Sequence, residues 1–305
     1  MAKQDVIDNK SGQWAVDMAK NSGDNIMIAI MYVGFVIVSG LYFVISFVAV
    51  LFDELKHDVS LSSSMTAGDS IIMFFLQLIL ASIFYFVWFL VLVAMGMLMI
   101  RIYRHRILGN SLLVKYSDYA WLREWTNNVA KDLNMPEVEI YITQDPYINA
   151  YAFGFAKPYC IVLNSGTIRY LTDDELKFVV VHEMGHIKYK HTNINLYLIP
   201  FLQAPIIRVF ASWIVGFWSR RTELTADRLA LYYLRDPKSA KKSLIKVHVG
   251  PDASKYLNDV AEQWLDYTTK GLMNAFSQTF SDHPFLVRRL KAVDVIYPDQ
   301  KPQAK

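Results

Sequence analysis

Hydrophobic positions are unevenly spread along this chain, and their grouping predicts its architecture. Ile26 to Phe52 is a run of 27 residues without a charge, and Ile71 to Ile100 is a second run of 30. A helix of about 20 apolar residues crosses the roughly 30 Å of bilayer hydrocarbon, so each run is long enough to span with some tilt or overhang. Core helices of such length and uniformity are rare. The polar stretch before the first run, and the length of that run, argue against a cleavable signal peptide.

Lysine and arginine near the runs predict orientation. The segment Asp53 to Ser70 carries Lys56 against Asp53, Glu54, Asp58 and Asp69, whereas Lys3, Lys10 and Lys20 precede the first run and Arg101, Arg104 and Arg106 follow the second. Residues 1–25 are therefore expected as a cytoplasmic tail, 26–52 and 71–100 as transmembrane helices, 53–70 as an external loop and 101–116 as a basic juxtamembrane segment. A third apolar stretch, Thr192 to Trp218, is interrupted by Pro200, Pro205 and Arg208 and makes a poor free-standing span.

The periodicity changes after residue 116. Ser117 to Met135 places Trp121, Leu122, Trp125 and Val129 on one side of a helix that stops before Pro136. Val138, Ile140 and Ile142 alternate with polar residues, as in a strand, and Tyr159 to Leu163 is a second, apolar strand. Thr172 with Glu175 three residues on is a capping-box pattern that starts a helix running to about Lys190. Another helix is expected from near Ser219 to about Leu234. The fold class predicted is a mainly α membrane protein: two N-terminal transmembrane helices, then a mostly helical domain with a small β-sheet over 117–298, and a polar tail over 299–305.

Composition narrows the classes. The chain is 53% hydrophobic and 19% charged, with a mean hydropathy of +0.21, too apolar for an ordinary soluble or a disordered protein. A net charge of +3 over 305 residues leaves little for a phosphate-binding face, so no nucleic-acid partner is expected. The single cysteine, Cys160, excludes an intramolecular disulfide framework and a cysteine-ligated zinc ribbon.

The helix begun at Thr172 contains His182-Glu183-Met184-Gly185-His186. Residues four apart on a helix differ by about 40° in azimuth, so both imidazoles face the same way one turn apart. That spacing lets two nitrogens meet one zinc ion. Glu183, about 100° round, is badly placed as a third ligand but can reach a water polarised by the metal and act as its base. Gly185 costs up to about 1 kcal/mol of helix propensity relative to alanine; its reason is either close approach of another backbone or plain tolerance. Zinc wants a third protein ligand and an open position. His191 lies nine residues after His182, roughly 180° round an extended helix, and is expected to face away. Glu223 is the better candidate, with Asp227 one turn on as an acceptor behind a ligand histidine.

His-Glu-x-x-His followed by Arg220-x-x-Glu223-x-x-Ala226-Asp227 resembles the HtpX-like membrane zinc metalloproteases, in the wider gluzincin family that includes the CAAX prenyl proteases. Asn149-Ala150-Tyr151-Ala152-Phe153-Gly154 is similar to that family's Asn-Ala-aromatic segment, and Phe280-Ser281-Asp282-His283-Pro284, with Arg289 beyond it, to its His-Pro motif. The likeness runs from about Ser117 to Val295; the N-terminus departs from HtpX, which enters the membrane almost at once.

The resemblance implies one zinc ion per chain held by His182, His186 and Glu223, with Glu183 as general base and later proton donor. It implies His283 as a donor to the oxyanion, supported by Arg289, and Asn149, Ala150 and Tyr151 as a segment binding substrate backbone. The function it implies is a zinc endopeptidase cutting membrane-associated or misfolded polypeptides at the cytoplasmic face of the inner membrane, in contact with the bilayer. The alternative is a membrane scaffold that keeps a degenerate protease domain for substrate capture. A shared ion requires an even number of crossings between His186 and Glu223, and the 27 residues of 192–218 are too few for two. That stretch is read as a broken helical segment on or dipping into the inner leaflet, or as a soluble hydrophobic hairpin over the groove.

This topology has a direct test. With Ser63→Cys, a membrane-impermeant thiol reagent added to intact cells should label residue 63 and spare Cys160, and a reporter after Lys305 should behave as cytoplasmic. An external reporter together with external labelling at 63 would mean one more crossing than a shared ion allows.

Overall fold

The computed structural model describes residues 12–21, 23–31, 67–154, 157–192, 205–256, 267–271 and 284–298, with scattered positions between 33 and 48. Its helices include α1 (residues 12–19), α2 (Ala67–Gly109), α3 (Ala120–Asp132), α4 (Ser165–Tyr170), α5 (Asp173–Lys188), α6 (Pro205–Leu234), α7 (Pro237–Val249) and α8 (Leu286–Ile296). The strands are β1 (Ser111–Leu113), β2 (Val138–Thr143), β3 (Ala150–Phe153) and β4 (Tyr159–Asn164). They form one mixed sheet in the order β1-β2-β4-β3: β2 and β4 run parallel, and the outer strands pair antiparallel to them. The protein is thus mostly helical with a small mixed sheet.

The alternation read in β2 is the alternation of burial, with Val138 and Ile140 inside. β4 is buried along nearly its whole length because it lies between β2 and β3. β3 is one of the two edge strands, and α5 packs against it as well as against α6 and α7.

α5 is the central helix. Thr172 Oγ1 accepts from the Glu175 amide while the Glu175 carboxylate accepts from the Thr172 amide, the expected capping box. Buried Glu175 also accepts from Lys246 Nζ at 2.7 Å, which ties α7 to the start of α5. Every residue from Phe178 to Gly185 is buried, so this helix has no solvent face over two turns.

α6 begins at Pro205, well before the expected start near Ser219. The mostly apolar residues 205–218, with Arg208 among them, continue into the charged stretch without a break in helix, and proline is well suited to a first turn because its missing N–H has no partner there anyway. Residues 193–204 lie outside the described residues.

α1 packs onto the back of this assembly. Ala15, Val16 and Ala19 are buried in the main core, and Arg221 of α6 holds Asp24 through two nitrogens at 3.0 and 2.8 Å. The stretch read as a tail therefore includes a structured brace on α6.

α2 is an unbroken helix of 43 residues whose described side chains from Ile72 to Met99 are almost all apolar and exposed. Most of 26–52 lies outside the described residues. On the described residues alone, no helix is long and apolar enough to cross a membrane, so both spans stand as expectations.

The approach of α5 to α6 has a specific cause. A Cβ on Gly185 would lie 3.1 Å from Ala226 Cα and 3.2 Å from Ala226 Cβ, so the missing side chain sets the helix separation. Gly185→Val gains well under 1 kcal/mol of helix propensity but forces a branched side chain into Ala226, an overpacking cost of about 1–3 kcal/mol. A lowered Tm is expected; an unchanged one would mean the two backbones are not in contact.

Candidate metal centre

His182 and His186 lie one turn apart on α5, and Glu223 and Asp227 one turn apart on α6, on either side of the Gly185–Ala226 contact. The crossing brings His182, His186 and Glu223 together, with one ligand atom from each within 4.8 Å of the others. The nearest separations are 3.2 Å between the two Nε2 atoms, 3.5 Å from His182 Nε2 to Glu223 and 3.4 Å from His186 Nε2 to Glu223. Ligand atoms about 2.0–2.1 Å from a tetrahedral zinc ion lie about 3.3 Å apart. Glu223 approaches His182 with Oε2 and His186 with Oε1, so the three groups are grouped closely enough to share such an ion. Among the described residues, this is the one cluster of its kind.

The groups behind the donors are also placed. His182 Nδ1 is 2.9 Å from Asp227 Oδ1, which leaves Nε2 for the centre. Arg289, on α8, donates to Asp227 through Nε at 2.7 Å and a terminal nitrogen at 2.6 Å, and its other terminal nitrogen lies 3.4 Å from Glu223. The Arg289 guanidinium thus clamps the carboxylate that contacts His182; its expected support of His283 falls outside the described residues, as does His283 itself.

Burial and charge compete at each group. Burial acts to lower the His182 pKa, but Asp227 and Glu223 outweigh it and push it up to about 10. Burial acts to raise Asp227, yet the Arg289 guanidinium pulls it down to about 2. Burial pushes Glu183 above the usual carboxylate range, against the opposing pull of His186 and His182.

Glu183 opens onto a cavity of about 500 Å³ that also receives His182, His186 and Glu223. Asn149, Ala150 and Tyr151 line its rim, where β3 presents its edge. Its far wall comes from Leu244, Val247 and His248 of α7. Sequence reasoning missed that wall, because an apolar helix face that lines a cleft has the same pattern as one that lines a core.

His191 is where the sequence reading went wrong. It does not face away: its Nδ1 lies 3.1 Å from His186 Nδ1. The 180° expectation assumed that α5 continues, but Tyr189 caps the helix and Lys190 takes a left-handed φ of 58°. The chain turns there and brings His191 back beneath His186.

The sequence profile "Peptidase family M48" matches residues 117–214 and 201–296. Similar curated proteins include the plastoglobule-localized metallopeptidase 48 of Arabidopsis thaliana, 31% identical over 208 residues, or 61% of this chain and 60% of that protein. Protease HtpX homolog 1 of Sulfurisphaera tokodaii is 33% identical over 90 residues, covering 28% of this chain and 29% of its own. A Protease HtpX homolog of Helicobacter pylori is 26% identical over 191 residues, covering 52% and 60%. The chain thus spans no more than 60% of the length of these relatives. Among solved structures, S. mikatae Ste24p aligns with a TM-score of 0.44 at 16% identity, over 81% of this chain and 66% of that one.

The Arg289–Asp227 pair makes a stability prediction. Arg289→Leu leaves a buried carboxylate short of its main partner, at an expected cost of about 3–5 kcal/mol. Arg289→Lys keeps the charge but loses the two-pronged geometry and should fall between. Equal denaturant midpoints for Arg289→Leu and wild type would mean the pair is not formed.

Proposed function

The chain belongs to peptidase family M48, and we propose that it is a membrane-anchored, zinc-dependent endopeptidase acting on membrane-associated or misfolded polypeptides at the cytoplasmic face. The observation that carries the reading is the spacing of His182 Nε2, His186 Nε2 and the Glu223 carboxylate, which suits one tetrahedral ion. His182, His186 and Glu223 are the ligands. When bound, zinc supplies a water of lowered pKa and a Lewis acid for the substrate carbonyl.

The other roles follow from position. Asp227 accepts the His182 Nδ1 hydrogen, fixing the tautomer that turns Nε2 inward, and Arg289 holds Asp227 in place. Glu183, beside the ligands in the cavity, takes the proton of the attacking water and returns it to the leaving amine nitrogen. Burial acts to raise its pKa, against the pull of His186 and His182. The exposed edge of β3, from Asn149 to Tyr151, takes the substrate as an added strand. By resemblance His283 supplies a hydrogen bond to the developing oxyanion.

Support for the anchor comes from α2. The described side chains of this helix are mostly apolar and exposed, among them Phe84, Phe86, Trp88, Leu90 and Met99, and such a surface suits an apolar surrounding. In this reading 26–52 and 71–100 cross the bilayer, 117–298 is the protease domain, and 192–218 lies against the inner leaflet.

Detergent-purified protein should contain one zinc per chain and degrade an unfolded substrate such as casein. Glu183→Gln should keep zinc and lose about 10²–10⁴-fold in turnover, because an amide cannot take the proton, whereas Glu223→Ala should lose the metal. Comparable proteolysis by Glu183→Gln would remove the general-base role, and full zinc content in Glu223→Ala would remove the third ligand.

A further inference from the structure

The geometry points to His191 as a positioning residue for the metal centre: its Nδ1 accepts the Nδ1 hydrogen of His186 and so holds the second histidine ligand in its working tautomer. This rests on the reading of His182, His186 and Glu223 as a zinc site.

The two ligand histidines face the same requirement. A histidine that gives Nε2 to a metal must carry its hydrogen on Nδ1, and that hydrogen needs an acceptor. For His182 the acceptor is Asp227, at 2.9 Å. His186 Nδ1 has His191 Nδ1 at 3.1 Å. With His186 the donor, His191 Nδ1 must be the acceptor, and its own hydrogen resides on Nε2. His191 is not a fourth ligand, because it meets the nitrogen of His186 that points away from the centre.

The site around His191 is built. The residue is 3% exposed, so water does not supply the acceptor in its place. Tyr189 stacks on its ring at 5.6 Å with an interplanar angle of 23°, and Trp218 meets it edge-on at 5.9 Å. Tyr189 is itself anchored by its hydroxyl, which donates to Val16 O of α1 at 2.8 Å. The N-terminal brace thereby reaches the second ligand through two aromatic rings. The arrangement is asymmetric in charge: the His182 ligand is backed by a carboxylate, which makes it a stronger donor to the metal, and the His186 ligand by a neutral ring.

The test compares zinc affinity, by chelator competition, and the visible spectrum of the cobalt-substituted protein in wild type, His191→Phe and His191→Asn. Phenylalanine fills the space without an acceptor, whereas asparagine puts Oδ1 as many bonds from the backbone as Nδ1. His191→Phe should bind zinc about 10–100-fold more weakly with an altered cobalt band, and His191→Asn should recover most of both. Unchanged affinity and spectrum in His191→Phe would overturn the role, as would equal losses in the two variants. A measurement without substitution stands beside these: the zinc-loaded wild type, labelled with ¹⁵N-histidine, should show a nitrogen–nitrogen coupling between His186 Nδ1 and His191 Nδ1 across the hydrogen bond. Its absence overturns the proposal even if His191→Phe fails to fold. A wild type that takes up no zinc overturns the metal centre itself, a result distinct from a zinc-loaded protein indifferent to residue 191.

Discussion

Two side chains on one helix and two on another can converge on a point only where the backbones nearly touch, and Gly185 against Ala226 is that place. Everything at the centre is measured from it. One turn of α5 carries His182 and His186 and one turn of α6 carries Glu223 and Asp227, so the helix separation sets the separation of donor atoms. A methyl group at 185 would press on Ala226 from 3.1 Å, and a larger group would open the cluster. The glycine costs up to about 1 kcal/mol of helix propensity, which the buried flanks of α5 and α6 offset through packing.

Bringing four ionisable groups into a nearly dry interior is otherwise unfavourable, since each buried charge loses several kcal/mol of hydration. The groups are arranged so that no charge stands alone. Arg289 neutralises Asp227 and lies near Glu223, and Asp227 and Glu223 raise the proton affinity of His182. Glu183 belongs to the same network: burial displaces its pKa upward, while His186, His182 and Arg289 pull it the other way.

The parts legible in the sequence are those set by local chemistry. The capping box at Thr172 and Glu175, the alternation of β2 and the close approach at Gly185 each follow from a few adjacent residues, and each is present. The convergence of His182, His186 and Glu223 was reached from spacing and family resemblance together. What was not legible depends on chain direction changing. His191 was misplaced because nothing in Tyr189-Lys190 announces a left-handed residue, lysine being an uncommon choice for that conformation. The change from mostly apolar to charged residues near Arg220 does not mark the start of α6, which already includes Pro205. The docking of α1 rests on Ala15, Val16 and Ala19, small residues whose apolar signal is weak beside Trp14 and Met18, which stay exposed. The wall from α7 has no signature at all.

The central claim is that one zinc ion is held by two imidazoles and a carboxylate, with no sulfur. X-ray absorption at the zinc edge of the purified protein tests it most directly. The account expects four nitrogen or oxygen neighbours at about 2.0–2.1 Å, with the outer-shell scattering of two imidazole rings. A sulfur neighbour at about 2.3 Å, a third imidazole, or a protein that holds no zinc at all would contradict it.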